Sequence, residues 1–139
     1  MKIEIQHMGD VQFSIATRGH AIYSDQPEDN KGYDEAMTPP EIFLGALGAC
    51  AAYYAVDYLK RNKLPFEGTH VTAHAEKAKN PARLGEITMH VTVPEGLSEE
   101  HRKGVHAAVE KCILHNTITH PPVIRTEVAQ HASEAARAA

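Results

Sequence analysis

A chain of 139 residues is one domain's worth, long enough to bury roughly two thirds of its unfolded surface. Its formal charge of −4, with 14 basic against 18 acidic residues, argues against a nucleic-acid binder that works by neutralising phosphates. Two cysteines, Cys50 and Cys112, are too few for a disulfide-dense scaffold or a four-thiolate zinc site, and read as inert core residues, a structural bridge or a redox pair.

The chain opens on alternation. Ile3 and Ile5 share one face of residues 2–7, with Lys2, Glu4 and Gln6 on the other, which is a half-buried strand. Gly9-Asp10 signals a hairpin turn, and Val11, Phe13 and Ile15 carry the return strand. Arg18-Gly19 interrupts, and residues 20–24 give a third strand. Residues 25–37 hold Pro27, Asp29, Asn30, Gly32 and Asp34 and read as a loop.

Thr38-Pro39-Pro40-Glu41 starts a helix. Thr38 suits the N-cap, Pro39 the first helical position, and Glu41 completes a capping box. The helix is expected to run to about Asn62, where Leu64-Pro65 stops it. Phe43, Leu47, Cys50 and Tyr54 fall on one face, with Leu44, Ala51, Ala55 and Tyr58 beside them. Gly45 and Gly48 weaken a helix interior and imply close approach of another element. The helix is apolar nearly all round, and a chain with two helices can hardly bury it alone, so a partner subunit is inferred.

Residues 67–79 and 84–93 read as paired strands; in the second, Ile87, Met89, Val91 and Val93 oppose Glu86, Thr88, His90 and Thr92. A second helix starts at Ser98 and presents Val105, Val109, Cys112 and Ile113 on its apolar face. A last strand is expected at residues 123–128. Residues 1–130 form the domain and residues 131–139 a tail, frayed or disordered. The order β-β-β-α-β-β-α-β with short hairpins favours an α+β fold built on antiparallel sheets. The N-terminus lacks the apolar stretch of a signal peptide, and the uncharged run at 42–56 is shorter than the ~20 residues of a membrane span. A cytoplasmic protein without membrane contact is expected.

Both cysteines fall on faces by which the two helices should pack. A structural disulfide is disfavoured in the cytoplasm, which leaves core packing and a redox couple open. Arg18 is either a solvated turn arginine or a cation able to lower a thiol pKa. Glu41 is a capping-box partner that could also orient an arginine. His70 and His74 share a strand face but stand about 13 Å apart, too far for one ion. There is no His-Glu-x-x-His or Cys-x-x-Cys sequence, and no metal or cofactor is expected. A Cys–His hydrolase using His115 would lack a nucleophile elbow.

Residues 38–68, TPPEIFLGALGACAAYYAVDYLKRNKLPFEG, and 96–118, GLSEEHRKGVHAAVEKCILHNTI, resemble the OsmC/Ohr family, as do residues 16–27 and the GYDEAMTPPE stretch. The resemblance spans about residues 10–128. It implies an OsmC-like α+β fold, with antiparallel sheets around two central helices in an intertwined homodimer, and thiol-dependent reduction of organic hydroperoxides at the subunit interface. Carried over by position, Cys50 is the peroxidatic thiol, Cys112 the resolving thiol and Arg18 the activating arginine. Glu41 is the arginine's carboxylate partner, although the family's glutamate falls one position earlier, at Pro40. The proline usual after the second cysteine is Ile113. An external dithiol, of lipoyl type in one branch, would restore the thiols. The alternative is a non-catalytic dimer binding a small ligand at its interface.

Overall fold

The computed structural model describes residues 1–130; the expected tail at 131–139 lies outside the described residues. β1 (Glu4–Gly9), β2 (Gln12–Thr17) and β3 (His20–Ser24) form a three-stranded antiparallel sheet in that order. The register sets Ile5 opposite Ile15 and Ile15 opposite Ile22, so three isoleucines line up across one face. The β2–β3 connection is Arg18 and Gly19 alone, at φ 49° and 79°, the geometry of a two-residue type I′ turn. Glycine adopts this freely; an arginine does so at a steric cost.

The loop that follows is shaped by one carboxylate. Asp25 is 1% exposed. It accepts hydrogen bonds from the amides of Gln26 (2.8 Å), Tyr33 (3.1 Å) and Glu35 (3.1 Å) and from Gln12 Nε2 (3.3 Å). Gly32 closes the same loop: a Cβ there would lie 1.8 Å from the Gln26 carbonyl oxygen, so no side chain fits.

α1 (Pro39–Arg61) begins where the sequence predicts, with Thr38 as an extended N-cap and Glu41 accepting from its amide at 2.7 Å. Leu47, Gly48, Ala51, Ala55 and Leu59 form its buried stripe. They meet β4 (His70–Ala78) and β5 (Arg83–Thr92), an antiparallel pair, and α2 (Glu99–Val109). The core is Ala51, Ala55, Leu59, Val105 and Val109, with Val71, Met89, Val91 and Val93 packed against it. Gly104 sets the distance between α1 and α2. A Cβ there would fall 2.0 Å from Tyr58 Oη, which lies across α2 and shares a 3.2 Å hydrogen bond with His101 Nδ1.

Three expectations need correction. The second helix does not carry through Cys112. α2 stops at Val109, and a separate α3 (Ile113–Thr119) begins with Cys112 as its N-cap. Ile113 is therefore 65% exposed rather than on a buried face. Residues 123–128 form no strand, and Val123, Ile124 and Val128 are exposed. An extended segment becomes a strand only when a neighbouring edge pairs with it, and nothing described in this chain does. Phe43, expected on the packed face of α1, is 45% exposed, and Gly45 meets nothing within 4 Å. One face of α1 thus lacks cover. The same holds for the N-terminal sheet: Ile5 and Ile22 are exposed, and no residue of β1–β3 enters the core.

Burial by itself would raise the Asp25 pKa, but the amides of Gln26, Glu35 and Tyr33 and the Gln12 side chain outweigh it and hold the carboxyl below its ordinary value. Its contribution to stability is complete above the unfolded-state pKa of about 3.9 and is lost as pH falls through the lower folded value. Asp25→Asn is expected to lower the urea midpoint at neutral pH, and the gap from wild type should close in acid. A gap that stays constant into acid would show that the carboxylate charge is not what holds the loop.

Candidate active site

Two free thiols meet where α1 passes the start of α3. Cys50 is half-buried and Cys112 is 1% exposed. Cys112 and the backbone of Leu114 and Ile113 are the neighbours that act on the Cys50 thiol. The arrangement follows from the break between α2 and α3. With Cys112 at the N-cap, the first amides of α3 have no intrahelical acceptor and face the incoming sulfur.

These groups pull against each other. Burial pushes the Cys50 pKa up, and the hydrogen bond with Cys112 pushes it further; the amides of Leu114 and Ile113 pull it down. The net direction is upward. No cation figures among the groups that dominate its surroundings. As one chain builds it, the Cys50 thiol is therefore held towards its protonated form, and a thiolate here needs a positive charge from elsewhere.

Arg18 is exposed at the tip of the β2–β3 turn. It lines an open groove made by residues 1–4 and 16–18, among them Lys2, Glu4, Ala16 and Thr17. Glu41 is committed to its capping box: Thr38 N donates to its Oε2 at 2.7 Å and Thr38 Oγ1 at 2.8 Å. Those two bonds hold its pKa below the usual glutamate value. It stands nine residues before Cys50, about 13 Å along the helix axis. Within one chain the structure brings Cys50 and Cys112 together and leaves Arg18 and Glu41 apart from them.

Two hollows are lined in part by residues one turn from the cysteines in sequence. The smaller, about 160 Å³, is lined by Leu47, Ile87, Met89, His115, Ile118 and Thr119. The larger, about 360 Å³, opens between β5 and α2 and shares Met89 and His115 with it. Leu47 lies one turn before Cys50, and His115 one turn into α3 from Cys112. The Leu114 and Ile113 amides are the site groups that sequence reasoning missed. The residues between Val109 and Ile113 include neither glycine nor proline to mark the break.

These features define an α+β protein with a two-thiol site between a central helix and the start of a short one. The family model for OsmC-like proteins matches residues 32–127, more than half of the chain, and the chain belongs to that family. Among solved structures, a Psychrobacter arcticus protein described as a proposed osmotic-stress and detoxification response protein superposes with a TM-score of 0.79 at 22% identity, over 87% of this chain and 89% of that one. An organic hydroperoxide resistance protein, OsmC, from Legionella pneumophila gives 0.65 at 18% identity, over 85% and 89%. An organic hydroperoxide resistance protein from Elizabethkingia anophelis with thiocyanate bound gives 0.66 at 19% identity, over 87% and 90%. At these identities the likeness is one of fold. Among curated proteins, none matches the sequence significantly.

Treatment of the reduced protein with a mild thiol oxidant is expected to remove both titratable thiols in step, through a bond within one chain. Non-reducing electrophoresis and intact mass after alkylation report this. Loss of one thiol alone, or a crosslink between chains, would contradict the contact between the two sulfurs.

Proposed function

We propose that this protein is a thiol-dependent peroxidase of organic hydroperoxides, working as a homodimer. The observation that carries the proposal is the pairing of Cys50 with Cys112 as interacting neighbours beside the Leu114 and Ile113 backbone. Relatives of the same fold are named for organic hydroperoxide resistance, which supports the substrate class. The hollow lined by Leu47, Ile87, Met89 and Ile118, with Leu47 one helical turn before Cys50, favours an alkyl hydroperoxide over hydrogen peroxide.

The Cys50 thiolate attacks the terminal oxygen of the hydroperoxide. A sulfur–oxygen bond forms as the O–O bond breaks. The alkoxide leaves and takes a proton to become the alcohol, and the sulfur, oxidised by two electrons, is a sulfenic acid. Cys112 then attacks that sulfur, water leaves, and a disulfide joins the two. An external dithiol, of lipoyl type in one branch of the family, exchanges with this disulfide and returns both thiols.

Arg18 supplies the missing cation from a second copy of the chain. Two uncovered apolar surfaces support this: the isoleucine row on β1–β3 and the open face of α1. Laying the sheet of one protomer on the helix of the other removes both from water and moves the Arg18 turn off its own chain. Each buried apolar Å² contributes about 25 cal/mol, so surfaces of this kind drive association. Glu41, held by Thr38, keeps its capping role, and its carboxylate is a partner to Arg18 only if the second copy brings the guanidinium to the start of α1.

Cys50→Ser is expected to abolish turnover of cumene or tert-butyl hydroperoxide, whereas Cys112→Ser should still consume one equivalent and leave a sulfenic acid that a dimedone-type probe traps. Arg18→Ala should move the pH at which the reaction accelerates upward, towards the raised thiol pKa, because the thiolate then forms without its cation. Mixing Arg18→Ala with Cys50→Ser chains under exchange conditions should partly restore activity, since one mixed site then carries both groups. Full turnover by Cys50→Ser would refute the enzyme reading in favour of a ligand-binding dimer. Absence of restoration in the mixture would refute the shared site alone.

A further inference from the structure

Away from the thiols, the outer face of the β4–β5 hairpin carries a patterned set of histidines. Along β4 that face presents His70, Thr72 and His74, and along β5 it presents Thr88, His90 and Thr92. The register pairs His70 with Thr92, Thr72 with His90 and His74 with Thr88, so histidine and threonine alternate like a checkerboard. His90 is the diagonal neighbour of His74 across the strands, and their ring centres lie 6.1 Å apart. The sequence spacing of His70 and His74 on one strand concealed this, because the partner comes from the other strand.

Two further observations bear on this pair. His7, His101 and His120 each spend a ring nitrogen on a hydrogen bond. His74 and His90, both exposed, make none to any described residue, so all four of their ring nitrogens are available. Two carboxylates, Glu76 and Glu86, come next along the strands, exposed and at the point where the register shifts. They add negative charge beside the pair. His70 is the other ring on this face, and its Nδ1 lies 3.5 Å from the Gly68 carbonyl oxygen.

Two imidazoles bound to one ion, with metal–nitrogen bonds of about 2.0–2.1 Å, hold their ring centres roughly 5–6 Å apart. The observed separation is within a small side-chain rotation of that range, and strands fix the Cβ positions while leaving the rings free to turn. We propose that His74 and His90 form a cross-strand chelate for a divalent late transition metal. Neutral imidazole suits copper, nickel and zinc, with copper(II) bound most tightly. Among the described residues no third His, Cys, Asp or Glu completes a cage, so water or an outside donor fills the remaining positions. Proton and metal compete for the same imidazole nitrogens, so acid weakens such a site.

The test is titration of the full-length, reduced protein with Ni²⁺, read by calorimetry and by histidine ring NMR signals. The tightest Ni²⁺ site should broaden the His74 and His90 signals together. His74→Ala and His90→Ala should each weaken it at least about tenfold, which is about 1.4 kcal/mol, and the double variant should do no more. His20→Ala, another exposed strand histidine, and Cys50→Ser/Cys112→Ser should leave it unchanged. Wild-type affinity in either hairpin variant overturns the proposal. So does loss of the site on removing His20 or the thiols, which would assign the metal elsewhere. Peroxide turnover by the hairpin variants should match wild type, so the two proposals stand or fall separately.

Discussion

The structure turns on a helix that is more apolar than its own chain can cover. α1 gives Leu47, Ala51, Ala55 and Leu59 to the core against α2 and the β4–β5 pair. Its other side leaves Phe43 and Tyr53 in water, at 45% and 65% exposure. A surface helix ordinarily carries a single apolar stripe. A second surface with the same defect exists in the same chain, the isoleucine row on β1–β3. Apolar surface that is exposed on two separate elements of one sequence is most simply relieved by a second copy, because each copy brings both halves of the fit.

That constraint reaches the chemistry. A thiol between packed helices loses solvation, so burial alone works against the thiolate. The start of α3 answers with two amides, which lower the pKa without adding net charge. They do not overcome burial within one chain. A full cation close to the sulfur is the group able to reverse the sign. The arginine proposed to supply it, Arg18, sits on the sheet whose apolar face is unpaired, at a turn where its backbone is held left-handed. Holding a non-glycine residue there costs roughly 1–3 kcal/mol, a cost the two-residue turn between β2 and β3 imposes. Assembly and activation are on this view one event, which couples thiol reactivity to the dimeric state.

Much of the fold was legible because it is coded locally. Thr38, Pro39 and Glu41 mark the start of α1 within four residues, and the alternation in β5 gives its inward face directly. Arg18-Gly19 marks a break because few residues tolerate positive φ. Two of the corrected expectations failed for want of a local signal. Nothing in residues 109–113 breaks a helix by propensity; the break arises where α3 must turn to carry Cys112 into the core. Residues 123–128 have strand composition, but composition cannot supply a neighbouring edge. The thiol pair was half legible, since helix faces pointed both cysteines inward while the contact itself depends on that unmarked break. The His74–His90 pair depends on register, which a single strand's spacing does not reveal.

The break between α2 and α3 has a consequence for the order of the two sulfurs. Had the helix continued, Cys112 would have sat mid-helix with its amide and those of its neighbours already bonded to carbonyls one turn back. Neither sulfur would then have had a donor. As the N-cap, Cys112 leaves the Ile113 and Leu114 amides free, and those amides face Cys50. Cys50 is also the more accessible of the two, half-buried against 1% exposure for Cys112. A substrate coming from solvent therefore meets Cys50 first, and the donors that stabilise negative charge are on that same sulfur. Cys112, without solvent access, is suited to react only with a neighbour that has already been oxidised. In the proposed reaction the order of attack and resolution is thus set by a helix end, through which sulfur receives the free amides and which is sealed from water.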